Sequence, residues 1–177
     1  TNNSALGAFA LGENTSGSFN TGLGTFALRD NATGQSNTSI GASAMSSNTT
    51  GSTNTAIGAS ALNGNGSGSG NTAAGQRSMF NNFSGTRNVA IGQDAMYQSS
   101  IGNYNVAVGT HALYRNATRN NLVAVGDSAL FNNGMNALDI TQAIGNTALG
   151  SKALYSNTTG SENTGVGYQA LFGSTVG

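Results

Sequence analysis

Neither cysteine nor proline nor tryptophan occurs anywhere in this chain, and charged residues make up only 7% of it. Without cysteine there is no disulfide framework and no thiolate metal site, and the redox compartment stays open. Six Lys and Arg balance six Asp and Glu, so no basic field exists to displace counterions from a nucleic acid or to seek an anionic membrane. Nucleic acid is therefore not expected as a partner. No apolar run approaches the roughly 18 residues of a membrane span, and direct membrane insertion is not expected either. A single His and scattered acids at Glu13, Asp30, Asp94, Asp127, Asp139 and Glu162 offer no base and nucleophile pair, paired carboxylates or zinc motif. An enzyme is not expected, nor is a cofactor.

What is abundant is glycine, with 27 copies in 177 residues. Asn, Ser, Thr and Gly richness with little charge would suit a disordered tract, but here the residues recur at a fixed phase. Motifs of the Asn-Thr-Ala-Ile-Gly type begin at Asn3, Asn20, Asn37, Asn54, Asn71, Asn88, Asn105, Leu122, Asn146 and Asn163. The first seven intervals are 17 residues, the next is 24 and the last is 17. The consensus unit is N-T-A-I-G-x-x-A-L-x-x-N-x-T-G-x-x. Position 5 is always glycine: Gly7, Gly24, Gly41, Gly58, Gly75, Gly92, Gly109, Gly126, Gly150 and Gly167. Position 15 is glycine in eight units, so two columns hold 18 of the 27 glycines. Residues 1–177 thus read as one repeat domain with a seven-residue insertion between Gly134 and Gly145. The chain opens and closes inside a repeat, as a piece of a longer fibrous protein would.

A glycine at fixed phase marks a backbone that needs positive φ, or an approach too close for a Cβ, once per unit. These turns cut each unit into segments too short for stable helices, and no segment spaces its apolar residues as a helix does. The prediction is an all-β solenoid of ten 17-residue coils, each of two or three short strands, stacked at about 4.8 Å into a rod about 50 Å long. Stacking in register turns each consensus position into a column. Aliphatic columns are expected inside at positions 4 and 9, with Ala spacers at 3 and 8. Asn ladders are expected at positions 1 and 12, and hydroxyl ladders from the Thr of positions 2 and 14. An Ile and a Leu per coil make a thin core, which favours association of several chains.

The recurrent A-I-G-x-x-A segment, as in Ala56-Ile57-Gly58-Ala59-Ser60-Ala61 or Ala90-Ile91-Gly92-Gln93-Asp94-Ala95, resembles the head repeats of trimeric autotransporter adhesins. Similar repeats occur in phage tail fibres. The resemblance covers the whole chain and rests on ten aligned copies. It implies a left-handed parallel β-roll, three chains around one axis, an extracellular place on a cell surface or virion, and attachment to a glycan or protein receptor. The longer unit here implies a larger turn or an extra corner.

Function beyond scaffolding is expected where the pattern breaks. Position 10 runs Gly12, Arg29, Ser46 and Asn63, then Phe80, Tyr97, Tyr114, Phe131, Tyr155 and Phe172. This aromatic strip is either a surface on which sugar rings stack or a packing column. The insertion, with Met135, Asn136, Asp139 and Gln142, is either a binding loop or a neutral bulge. Position 7 reads Arg77, Asp94 and His111 in successive units, which places an ion pair between Arg77 and Asp94. His111 could ligate a metal only where symmetry-related copies meet on an axis. Seven Asn-x-Ser/Thr sequons, among them Asn14, Asn31 and Asn48, fall on the position 12 ladder. A passive spacer and an ice-binding solenoid are the alternative functions. The second is weakened where Val89, Val106 and Val123 replace Thr at position 2.

Overall fold

The computed structural model describes residues 2–135 and 137–176, and among these there is no helix. Ten three-residue strands follow one another: β1 (Ser4–Leu6), β2 (Thr21–Leu23), β3 (Thr38–Ile40), β4 (Thr55–Ile57), β5 (Thr72–Ala74), β6 (Val89–Ile91), β7 (Val106–Val108), β8 (Val123–Val125), β9 (Thr147–Leu149) and β10 (Thr164–Val166). They form one parallel sheet in chain order. The register never slips: Thr55 pairs with Thr72, Ala56 with Ala73 and Ile57 with Ala74. Each coil contributes one strand, not two or three, because the rest of the unit is turn. The fold is a parallel β-solenoid of ten coils.

The strand ends at position 5, where the glycines have φ between 121° and 135°. A Cβ there would also strike the next coil, as at Gly41, where it would lie 2.6 Å from the Gly58 carbonyl. Both reasons for a glycine hold at this column. At position 15 only the second does: a Cβ on Gly51 would run into the Gly68 carbonyl oxygen and the amides of Asn48 and Asn65.

Beyond the glycine the backbone alternates in hand. Positions 7 and 9 are left-handed in every coil, with φ of 53° to 60° at the first and 47° to 54° at the second. Coil-to-coil hydrogen bonding continues through this stretch. The Phe26 amide donates back to Ala8 O at 2.9 Å, while the Leu28 amide donates forward to Ala44 O at 3.0 Å. Position 9 is consequently Leu or Met and never Ile or Val, since a β-branched side chain is badly strained at positive φ.

The core is thinner than the sequence suggests. Position 9 lies inside, with Leu28, Met45, Leu62, Met79, Met96, Leu113, Leu130 and Leu154 fully buried between the alanines of positions 3 and 8. Position 4 does not join them. Side chains alternate along a strand, and Asn at position 1 and Ala at position 3 already face inward, so positions 2 and 4 face out. Leu23, Ile57, Ile91, Val125 and Leu149 are exposed on that outer face.

Both Asn columns form ladders. Asn48 donates through Nδ2 to Asn31 Oδ1 at 2.6 Å and to Gly51 O at 3.0 Å, and Asn65 repeats the pattern on Asn48 and Gly68. At position 1, Asn37 Oδ1 accepts from the Asn54 amide at 3.0 Å, and Asn37 Nδ2 reaches Gly51 O at 2.8 Å. The expected hydroxyl ladder at position 2 is missing among the described residues: outward-facing Thr21, Thr38, Thr55 and Thr72 have water available and make no such bonds. At the next corner Thr15 and Thr49, both at position 13, do donate coil to coil, to Ala32 O and Gly66 O at 2.7 Å.

Candidate functional site

Six aromatic rings at position 10 form one continuous surface stack. Phe80, Tyr97, Tyr114, Phe131, Tyr155 and Phe172 follow at centroid spacings of 5.3, 5.2, 5.0, 5.1 and 5.1 Å, with planes within 15° of parallel. That spacing is close to the strand repeat, so the solenoid itself sets the stack. Each interior ring has both faces covered by its neighbours and presents only its edge. Stacking on a sugar needs a free face, so within the ladder the geometry favours packing over carbohydrate stacking.

Position 7 runs beside this ladder. Arg77 Nη2 lies 2.8 Å from Asp94 Oδ2, and its guanidinium carbon is 5.5 Å from the centroid of the Tyr97 ring. The pair expected from the sequence therefore forms, but only Arg77 is at the surface, for the Asp94 carboxylate is buried. The bond to Asp94 raises the Arg77 pKa above its ordinary value. His111 turns its Nε2 towards Asp94 Oδ2 at 3.6 Å, and its ring stands nearly perpendicular to Tyr114 and Phe131, at centroid distances of 5.4 and 6.1 Å. In the single chain its neighbours are these two rings and one carboxylate. A second, shorter stack, Phe9 on Phe26 at 5.4 Å, occupies position 7 of the first two coils. The sequence showed it only as two Phe one period apart.

The insertion leaves the scaffold undisturbed. β8 and β9 pair in the same register as the others, Val123 with Thr147. The extra residues bulge outwards and are held by named bonds. Gln142 Oε1 accepts from the Leu138 and Asp139 amides at 3.0 and 3.2 Å, and Asp139 Oδ1 accepts from the Thr141 amide and hydroxyl, each at 2.9 Å. Those two bonds lower the Asp139 pKa. Met135, Asp139 and Gln142 thus belong to one ordered loop, while Asn136 lies outside the described residues.

Two arginines tie the loop to the rod, and neither was singled out in the sequence. Arg119 occupies position 15, which is glycine in all six preceding coils; its side chain is buried and donates to Ala137 O at 2.8 Å and Thr118 Oγ1 at 2.6 Å. The signal was available, since Arg119 breaks the glycine column one coil before the insertion. The Arg115 guanidinium carbon is 5.8 Å from the Phe131 ring centroid, and Arg115 donates to Met135 Sδ at 2.8 Å. The structure therefore brings the loop and the aromatic ladder together.

These features define a parallel β-solenoid repeat protein whose coils 5 to 10 carry the non-uniform surface. No protein-family model, no curated protein and no solved structure matches this chain.

Proposed function

We propose that this chain is a segment of an attachment fibre, in which three copies run along a common axis as left-handed parallel β-rolls. The rod projects from a cell surface or a virion, as in a bacterial adhesin head or a phage tail fibre. It acts through shape and contact, without catalysis or cofactor. The observation that carries this reading is the aliphatic row at position 4. It faces outward on a ten-stranded sheet and includes Leu6, Leu23, Ile57, Ile91, Val125, Leu149 and Val166, all exposed. Soluble monomers rarely leave a contiguous apolar strip of such length uncovered. A surface able to cover it in every coil must repeat at the same spacing, and another copy of the same rod does. Closed rotational symmetry then limits growth to a small ring of chains.

The attachment role follows from the resemblance of the A-I-G-x-x-A units to adhesin heads. Sedimentation equilibrium tests the assembly: three chains are expected, and a folded monomer overturns the reading. Ile57→Lys with Ile91→Lys should dissociate the assembly while leaving coil stacking intact, because both side chains lie outside the core.

A second reading has one observation in its favour. Thr at position 2 and the aliphatic residue at position 4 share the same outward face at a regular spacing, which is a surface able to order water. Measured thermal hysteresis would support ice binding. A rod that binds no cell and shows no hysteresis is a spacer.

A further inference from the structure

One corner of the coil changes character part-way along the rod. Positions 13 and 14 hold Thr15 and Ser16, Ala32 and Thr33, Thr49 and Thr50, then Gly66 and Ser67 in coils 1 to 4, and Thr158 and Thr159 in coil 9. Between them exposed apolar side chains enter the corner, Phe83 in coil 5 at 65%, Ile101 in coil 6 at 47%, and in the coil 8 loop Leu138 at 101% and Ile140 at 79%, while coil 7 keeps Ala117 and Thr118. Met135 and the guanidinium of Arg115 border the same loop on its ladder side.

We propose that this corner, from coil 5 to coil 8, docks a folded receptor protein, with Leu138 and Ile140 entering an apolar pocket of that partner. The proposal rests on the attachment reading and assigns the class of receptor. Three observations carry it. The patch is local, spanning about 14 Å of rod at the strand spacing, whereas the position 4 row runs through the coils. A surface that packs copies of the rod side by side repeats in each coil, and a surface confined to four coils suits a discrete partner. Secondly, the loop is already held in shape by Gln142, Asp139 and Arg119, so displaying Leu138 and Ile140 costs little further ordering on binding. Thirdly, the chemistry suits protein. Aromatic, Met and Arg side chains around an aliphatic centre are the make-up of protein interface cores, whereas the ladder beside the loop has no free ring faces within it to offer a sugar.

The test uses the fluorescently labelled full chain on intact bacterial and epithelial cells, each untreated, protease-treated or periodate-oxidised. The unmodified chain is expected to bind at least one cell type, to lose binding after protease and to keep it after periodate. Leu138→Asp with Ile140→Asp should lower binding at least ten-fold, with mass in solution and melting temperature unchanged, since neither side chain is packed. Phe83→Thr with Ile101→Ser, residue types these positions hold in other coils, should lower it several-fold. Binding by the loop variant within two-fold of the original overturns the proposal, and so does loss on periodate, which points to glycan. Both outcomes leave the attachment reading standing. Failure of the original chain to bind any of the cells sinks that reading and the proposal together.

Discussion

Replacing Ser99 by Asn should stabilise this protein, because Ser99 is the internal break in the position 12 ladder. In coils 3 and 4 each Asn donates to the preceding Asn Oδ1 and to a position 15 carbonyl. At coil 6 the serine is too short to do either. Asn82 Oδ1 and Ser99 Oγ are left buried without a partner, and Asn116 Nδ2 retains only its bond to Arg119 O at 3.1 Å. The new amide would donate to Asn82 Oδ1 and Gly102 O and accept from Asn116. Satisfying a buried group recovers about 1–3 kcal/mol and each added bond nets about 1 kcal/mol; after the ordering cost of one short side chain, about 2 kcal/mol remains. For a chain of this size that raises the melting temperature by about 4–8 °C. Calorimetry and circular dichroism would measure it, with Asn65→Ser as the converse, expected to cost a similar amount by opening a second gap. An unchanged or lower melting temperature for Ser99→Asn would refute the reasoning that the Asn ladder adds stability beyond the backbone stack.

Further expectations follow from the columns. Gly58→Ala should cost more than 3 kcal/mol, combining φ of 128° with a Cβ 2.7 Å from the Gly75 carbonyl oxygen; Gly173→Ala, where a Cβ meets nothing within 4 Å, should stay within about 0.5 kcal/mol in the same denaturant titration. Leu62→Ile should cost about 2–3 kcal/mol although volume is conserved, because its φ is 52°, while Leu62→Met should cost less than about 1.5 kcal/mol; equal losses would remove the conformational explanation. The hydrogen bond from Arg29 lowers the Asp30 pKa, so the folded value lies below the unfolded one. Its small contribution is present above the ordinary carboxylate pKa and fades as pH falls through the folded value. Asp30→Asn should flatten that part of an acid titration of stability, and an unaltered profile would show the pair to be inert. Asn31 and Asn48 are buried with their amide nitrogens in the ladder, so folded protein secreted by a glycosylating cell should carry no glycan there by intact mass; an occupied site in folded protein would contradict the ladder.

Much of the scaffold was legible from recurrence alone. A residue that returns every 17 positions must sit above its own copy once the coils stack, so the register, the two Asn ladders and the meeting of Arg77 with Asp94 follow from the period. The ring stack follows as well, since six aromatics in one column at the strand repeat have only each other for neighbours. Recurrence does not say which way a column points, and this is where the expectations failed. Hydrophobicity places Ile57 and its equivalents inside, yet the parity of a three-residue strand beginning after a buried Asn turns them out. The hydroxyl ladder at position 2 failed for the same reason.

The sequence by itself therefore determined the solenoid, its ten coils, the in-register columns and the place of the insertion, because these depend only on translation along the chain. Tertiary structure decided what faces solvent, because that depends on the backbone turns. Left-handed residues at positions 7 and 9, the second always Leu or Met and neither announced by a glycine, fold the chain back so that one aliphatic column is core and the other is surface. The same closure sets Phe83 and Ile101 on the corner from which Leu138 and Ile140 project, although no periodicity connects them.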